Sequence, residues 1–336
     1  MKKLVLKGTA LQRGQTHGEQ MRNEIHEVLD YYRSRFLSNR DKLQSHVDQL
    51  MAKVELLGKD YKEEMDGIAS SANVDPFWIY CINARSELMS SPVASSPMEC
   101  STVSFPKNGL LGQNWDWAEA LEGKLALADI TLENGHRFFT MTEPGMLAKI
   151  GMNDSGLGVC LNILPARKKL TGLPVHILLR ALLECRSVEE AKTLIQIHGA
   201  GKASHVLVAD STQTVAVELA PDQPWFQNTQ EDWYLHTNHY LQQGQAQPTT
   251  TRECTETRLK TLHERLLYKP ESSLSNIRQL LDINEKPFPI LRPYAWHELT
   301  GNGGTLVTML LDLNKKEMLL REGFDSQNGF DRYSFS

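Results

Sequence analysis

Over the first ninety residues, apolar positions recur at helical spacing. From about residue 19 to residue 57 a polar stretch carries Ile25, Val28, Leu29, Tyr32 and Phe36. That spacing puts apolar side chains on one face of an α-helix, and the length predicts one long or two medium helices. Residues 63–69 predict another. Asp75-Pro76 opens a further helix that runs to about Leu88, since Asp caps free amides and Pro fits a first turn where its missing N–H costs nothing. Residues 2–7 predict a short strand. Leu11 to Gly18, with Gly14 and Gly18, predicts a turn.

After Cys100 the pattern becomes extended. Strands are predicted over 101–105, 109–114, 124–132, 136–142, 146–151, 156–162, 204–210, 213–219, 232–238, 305–312 and 317–321. Helices are predicted over 173–184, 188–198, 252–267 and 272–282; Ser187 with Glu190 forms a capping-box signature. Asn108-Gly109 and Asn134-Gly135 each lie between extended runs, the signal for a two-residue type I′ hairpin. Hairpin blocks separated by helix pairs suggest antiparallel sheets with helices packed outside. Between the two textures, Ser90 to Pro97 is rich in Ser, Pro and Ala and reads as an exposed connector.

The 336 residues are enough for a sizeable core without disulfide staples. A net charge of −5 leaves no basic footprint for nucleic acid. The five cysteines are odd in number, widely spaced and without a CxxC pair, which argues for a reducing compartment. The apolar run in Met1 to Lys7 is too short for a signal peptide, and no run has the length of a transmembrane helix. The expectation is a cytoplasmic protein with neither nucleic acid nor membrane as partner.

The candidate chemistry lies between Pro97 and Trp117. A hairpin at Asn108-Gly109 carries Gln113-Asn114-Trp115-Asp116-Trp117 back alongside Cys100, so a thiol and a carboxylate are expected to face each other across one strand pair. The plain alternative is a buried structural cysteine beside a surface aspartate. His236 and His239 with Cys254 or Cys185 suggest zinc, but residues three apart on a strand point to opposite faces. His17, His176 and His205 have no partner at ligand spacing.

Cys100-Ser101-Thr102 followed by Gly112-Gln113-Asn114-Trp115-Asp116 resembles the core of the penicillin acyltransferase family of N-terminal-nucleophile hydrolases, which are distantly similar to bile salt hydrolases. The likeness extends through Arg13-Gly14 to Gln20, Glu63 to Ala69, Asn83 to Leu88, residues 151–162, His236-Thr237-Asn238-His239 and Thr255 to Arg258. It implies an α+β fold, the αββα sandwich of two antiparallel sheets between helical layers. It also implies cleavage before Cys100, dividing the chain into a helical segment 1–99 and a catalytic domain 100–336. Three departures stand out, one being that the arginine penicillin acyltransferases carry near their carboxy-terminal strand has no counterpart in the local sequence Gly303-Gly304-Thr305-Leu306. Glu99 occupies the place of a glycine in penicillin acyltransferases, and Gln113 that of an arginine in bile salt hydrolases.

The roles implied are specific. Cys100 attacks an acyl amide. Its freed α-amine, with a reference pKa near roughly 7.7–8.0, takes the thiol proton and Asp116 orients that amine. Asn238 and Asn162 hold the oxyanion, and Arg258 braces the site electrostatically. The substrate is a small acyl amide, with an acyl-CoA or an amine acceptor as second substrate if transfer dominates. No metal or organic cofactor is implied. Two rivals remain: an uncleaved, non-enzymatic ligand-binding protein on the same fold, and an uncut enzyme in which a side chain such as His239 serves as base.

Overall fold

The computed structural model describes residues 1–36, 39–89, 100–166, 168–242, 252–297 and 301–335. The helical half begins with β1 (Lys2–Leu6) and continues through α1 (Ala10–Gln20), α2 (Arg22–Arg33), α3 (Arg40–Leu57), α4 (Lys59–Ala72), α5 (Pro76–Asn83) and α6 (Arg85–Met89). After Cys100 come β2 (Ser101–Phe105), β3 (Leu110–Ala118), β4 (Ala126–Thr131), β5 (Arg137–Thr142), β6 (Gly151–Asn153) and β7 (Gly158–Ile163). Then follow α7 (Val175–Glu184), α8 (Val188–His198), β8 (Ser204–Ala209), β9 (Thr214–Leu219), β10 (Pro224–Phe226) and β11 (Tyr234–His236). The chain ends with α9 (Arg252–Tyr268), α10 (Leu274–Leu281), β12 (Ala295–His297), β13 (Gly301–Asp312), β14 (Glu317–Glu322) and β15 (Asp331–Ser334). None of the described helices is long and apolar enough to cross a membrane. The predicted connector 90–97, and Glu99, lie outside the described residues.

The strands form two sheets. One runs β1-β4-β5-β6-β7-β8-β9-β10; the other runs β11-β2-β3-β13-β14-β15, with β12 on β13. Neighbours are antiparallel except β1, which lies parallel to β4. The sheets meet face to face. Gln113 of β3 clasps β7: its side-chain amide donates to the Leu161 carbonyl, and its oxygen accepts from Leu161 N at 2.9 Å. Helices α7 and α8 cover the outer face of the first sheet. Helices α9 and α10 cover the second, where Leu262, Leu266, Ile277 and Leu281 bury Val103, Phe105 and Leu110. This is the αββα sandwich. Alternation along β2 and β3 supplies both layers at once, because successive side chains on a strand point to opposite faces.

The structure differs from the periodicity in several places, among them the hairpin at Asn134-Gly135, where only Gly135 is left-handed, at φ +82°, within a longer loop between Thr131 and Arg137 than a two-residue turn. Residues 10–20 are helical rather than a turn. Gly14 and Gly18 are there because α1 lies directly on α4: a Cβ at Gly14 would sit 2.0 Å from the Glu64 carbonyl oxygen. In the β2–β3 hairpin only Gly109 is left-handed, at φ +60°, and it closes a short 3-10 turn opened by Pro106. Pro fixes its own φ near −65° and shapes a longer loop than the two-residue turn expected from Asn-Gly. Finally, 146–151 is mostly a buried loop, and the strand is confined to Gly151–Asn153. Beside backbone bonds such as that from Met141 N to the Ile150 carbonyl, side chains satisfy much of this buried stretch: Lys149 N donates to the Thr140 hydroxyl, Leu147 N to the Asn83 amide oxygen and Gly145 N to the His17 ring. Burial lowers the His17 pKa to about 4, which keeps its ring neutral and able to accept.

An exposed helical glycine gains about 1 kcal/mol on replacement by Ala. Gly14→Ala should instead cost about 1–3 kcal/mol or more, through overpacking against α4. Urea unfolding of the two proteins measures the sign; a gain would mean that α1 and α4 are not in backbone contact.

Candidate active site

Cys100, immediately before β2, is buried with the inter-sheet core. Thr102 faces the same way and donates to Asn162 Oδ1 across the sheets at 2.9 Å. Ser101 faces outward, toward α9. On β3 the alternation sends Gln113, Trp115 and Trp117 inward, whereas Asn114 turns outward and donates to the carbonyls of Leu281 and Ile290. Asp116 therefore turns away from the side on which Trp115 and Cys100 lie. Its Oδ1 accepts from the Thr305 hydroxyl at 2.7 Å, while Oδ2 is buried with no hydrogen-bond partner. The expectation of a thiol facing a carboxylate is thus corrected by strand geometry. The strands are adjacent, but alternation presents the carboxylate to the backbone side of Cys100 rather than to its sulfur.

Arg258, on α9, reaches this outer face. Its Nη1 donates to the Cys100 carbonyl at 2.9 Å and to the Ser101 hydroxyl at 2.8 Å, and its Nη2 donates to Asn238 Oδ1 at 3.1 Å. Those three acceptors are all neutral. Asn238 follows β11 and is fixed at each end: its backbone N donates to the Thr255 hydroxyl at 2.7 Å and its Nδ2 to the Ile163 carbonyl at 2.9 Å. With Oδ1 committed to a guanidinium, the amide orientation is set and one Nδ2 hydrogen is left over. Cys100, Asp116, Asn238 and Arg258 come from four separate stretches of sequence and meet here.

Asn162 sits one layer away. Its Oδ1 takes Thr102 and lies 3.0 Å from His205 Nδ1. His205 Nε2 lies 3.1 Å from the Tyr234 hydroxyl, and the His205 ring stacks on His236 at 3.7 Å and 3°. His236 Nε2 in turn lies 3.1 Å from Glu218, which also accepts from the backbone N–H groups of Leu241 and Gln242. His239 instead lies 3.0 Å from the Thr255 hydroxyl. The two histidines therefore diverge, and no metal-ligating trio forms among the described residues. His205, set aside in the sequence for want of a partner at ligand spacing, thus helps orient Asn162.

Burial pushes the Cys100 thiol up to about 11, and the Asp116 charge adds to the shift. Burial likewise raises the Asp116 carboxyl to about 7, against Thr305 and Arg258, which favour its ionised form. The third charged side chain acting on Cys100 besides Asp116 and Arg258 is Lys149, which sequence reasoning did not single out. Lys149 is buried; its Nζ donates to Glu143 at 2.9 Å and stands 3.8 Å over the Trp115 ring. The signal was available: Lys149 is the lone charge in the apolar run Met146 to Ile150. The five cysteines form no disulfide, and Cys185 is the most exposed of them.

A cysteine at the head of an inner strand, a carboxylate one strand away and an asparagine held by arginine thus lie together on the αββα sandwich. The sequence profile of the acyl-coenzyme A:6-aminopenicillanic acid acyl-transferase family matches residues 104–327, and the chain belongs to that family. The match includes Asp116, Asn162, Asn238 and Arg258 and begins just after Cys100. The chain is 29% identical over 243 residues to the 40 kDa form of acyl-coenzyme A:6-aminopenicillanic-acid-acyltransferase of Emericella nidulans, covering 70% of this chain and 68% of that protein. Among solved structures it is similar to penicillin V acylase from Agrobacterium tumefaciens, with TM-score 0.42, 12% identity and coverage of 66% of this chain and 82% of that one. It is also similar to a mutant of conjugated bile acid hydrolase from Clostridium perfringens, with TM-score 0.46, 13% identity and coverage of 71% of this chain and 97% of that one.

The Asp116 shift makes a stability prediction. A carboxyl raised on folding contributes stability that is complete below its unfolded pKa near 3.8 and is lost as pH rises toward 7. Asp116→Asn removes the ionisation. In the uncut chain, kept so by Cys100→Ala, it should therefore stabilise the fold at pH 7.5 relative to Cys100→Ala alone, by roughly 1–4 kcal/mol, and by much less at pH 4.5. Urea melts at both pH values read the difference; equal effects at the two would mean that Asp116 is not raised.

Proposed function

We propose that the protein is a cysteine-dependent amide hydrolase or acyltransferase that works through a thioester at Cys100 after cutting its own chain before that residue. The observation that carries this reading is the buried, unpartnered Oδ2 of Asp116 beside Cys100. An orphaned acceptor in the interior is costly unless it meets a donor. The α-amine created at Cys100 by cleavage supplies that donor at the backbone side, where alternation has turned the carboxylate.

In the intact chain the Cys100 sulfur adds to the Glu99 carbonyl carbon. The C–N bond breaks, the nitrogen leaves as an amine carrying a proton, and water hydrolyses the resulting thioester. Residues 1–99 and 100–336 remain associated, because α1–α6 share one apolar core with the sheets. In turnover the amine takes the thiol proton, the sulfur attacks the substrate carbonyl, and the amine returns the proton to the leaving nitrogen. Asn238 donates to the oxyanion, with Asn162 as a second donor and Arg258 holding Asn238 and the Cys100 carbonyl in place. Water or a second amine resolves the acyl-enzyme. The name of the fungal relative makes acyl-coenzyme A and 6-aminopenicillanic acid the first donor and acceptor to try, alongside a panel of small acyl amides. We also propose a cytoplasmic location, from the cysteine usage.

Cys100→Ala should abolish turnover on every substrate found and should leave a single intact mass. Wild type should show two fragments under denaturing conditions, the second beginning at Cys100, and Glu99→Gly should cleave at least as fast. Turnover in a Cys100→Ala protein would refute the nucleophile; activity in wild type that remains one chain would refute the free amine as base. Asn238→Ala should lower kcat by on the order of 100- to 1000-fold with a smaller change in KM. A change confined to KM would put Asn238 in the substrate pocket wall instead.

A further inference from the structure

Next to Cys100 the interior holds more positive than negative side chains. Glu143 is shared: Arg85 Nη2 donates to it at 2.6 Å, Arg85 Nε at 3.2 Å, Lys149 Nζ at 2.9 Å, and the Tyr32 hydroxyl also donates. All four side chains are buried. One carboxylate thus serves two basic groups. The two are not equivalent in position. Arg85 stacks over Trp117 at 4.0 Å, whereas Lys149 stands over Trp115. Extending the β2–β3 register, in which Ser101 pairs with Asn114, places Cys100 opposite Trp115. Lys149 is therefore the member of the cluster on the Cys100 side. On the other face Arg258 touches the neutral acceptors already described, and the local anion there is Asp116. His176, Cys160 and Glu87, all buried, and Tyr31 are further titratable groups near the cluster, Glu87 and Tyr31 on its Arg85 side.

A buried cation without an anion is unstable unless it loses its proton or acquires a counter-charge. We infer that Lys149 is the electrostatic partner of the Cys100 sulfur: its ammonium, held on the Trp115 ring by Glu143, pairs with the thiolate as that thiolate forms. This rests on the reading of Cys100 as nucleophile and adds the group that makes its thiolate tolerable in an apolar core. The proton lost from Sγ passes to the freed α-amine, as in turnover, and the negative charge left on sulfur faces the ammonium already present at Nζ. Burial holds Lys149 down at about 7, with Glu143 opposing, so it changes charge in the range where the enzyme would work. Arg85 and Tyr32 belong to the helical segment ahead of Cys100. That segment consequently helps place Lys149, through Glu143, even if the chain is cut.

The test is the pH profile of iodoacetamide alkylation at Cys100, read by peptide mass spectrometry on the purified full protein. Lys149→Met should move the inflection about one pH unit or more upward and slow alkylation about tenfold below it; Lys149→Arg should stay within about threefold of wild type. Lys149→Gln keeps a donor for Glu143 without the charge and should follow Met, and it serves if Met does not fold. Access alone changes the rate but not the inflection. A folded Gln or Met variant with the wild-type inflection, or an Arg variant that follows Met, overturns the inference. That outcome is separate from failure of the nucleophile reading, which Cys100→Ala turnover tests without reference to Lys149.

Discussion

The site depends on a guanidinium buried among neutral acceptors. Arg258 joins the Cys100 carbonyl, the Ser101 hydroxyl and the Asn238 side chain. It thereby ties the head of an inner strand to a loop beyond the sheet edge and to an outer helix. An arginine spread over three neutral oxygens keeps its charge uncancelled. That charge acts on both Cys100 and Asp116. Structural clamp and electrostatic field are one interaction here, so the geometry of the site and its charge balance cannot be changed separately.

Around that clamp, the interior works against ionisation. Desolvation keeps the Cys100 thiol and the Asp116 carboxyl toward their neutral forms and Lys149 close to losing its proton. Glu143 is the exception. Burial would raise it, but Arg85 and Lys149 together outweigh burial and hold it down at about 2. The intact chain thus contains a buried thiol surrounded by groups whose charges change with small alterations in solvation. The proposed release of an amine at Cys100 would be one such alteration, and the amine would meet the free oxygen of Asp116.

The helical segment ahead of Cys100 is not a detachable cover. Tyr32 accepts from the Trp117 indole at 2.9 Å, and Asn83 and His17 hold the buried loop that carries Glu143 and Lys149. A loop buried at this depth needs side chains to satisfy its backbone. Those side chains come from both halves of the chain, which is why one core includes helices and sheets together.

Much of this was legible in the linear sequence. The switch from 3.6-residue to two-residue periodicity at Cys100, the hairpin that brings Asp116 back beside it, and the helix bearing Arg258 all follow from local pattern, because binary patterning encodes which face of an element is buried. The resemblance carried by Cys100 to Thr102 and Gly112 to Asp116 named the family. Three features required the tertiary structure. Gly14 and Gly18 look like turn residues until a second helix is laid on them. The side on which Asp116 meets Cys100 depends on strand alternation about a register that is defined only once the strands pair. Lys149 is one lysine in an apolar run until folding places Glu143, Arg85 and Trp115 around it. Close approach, facing and charge pairing are relations between distant segments. Local pattern determines elements and their buried faces, but which buried faces meet is decided only by the packed fold.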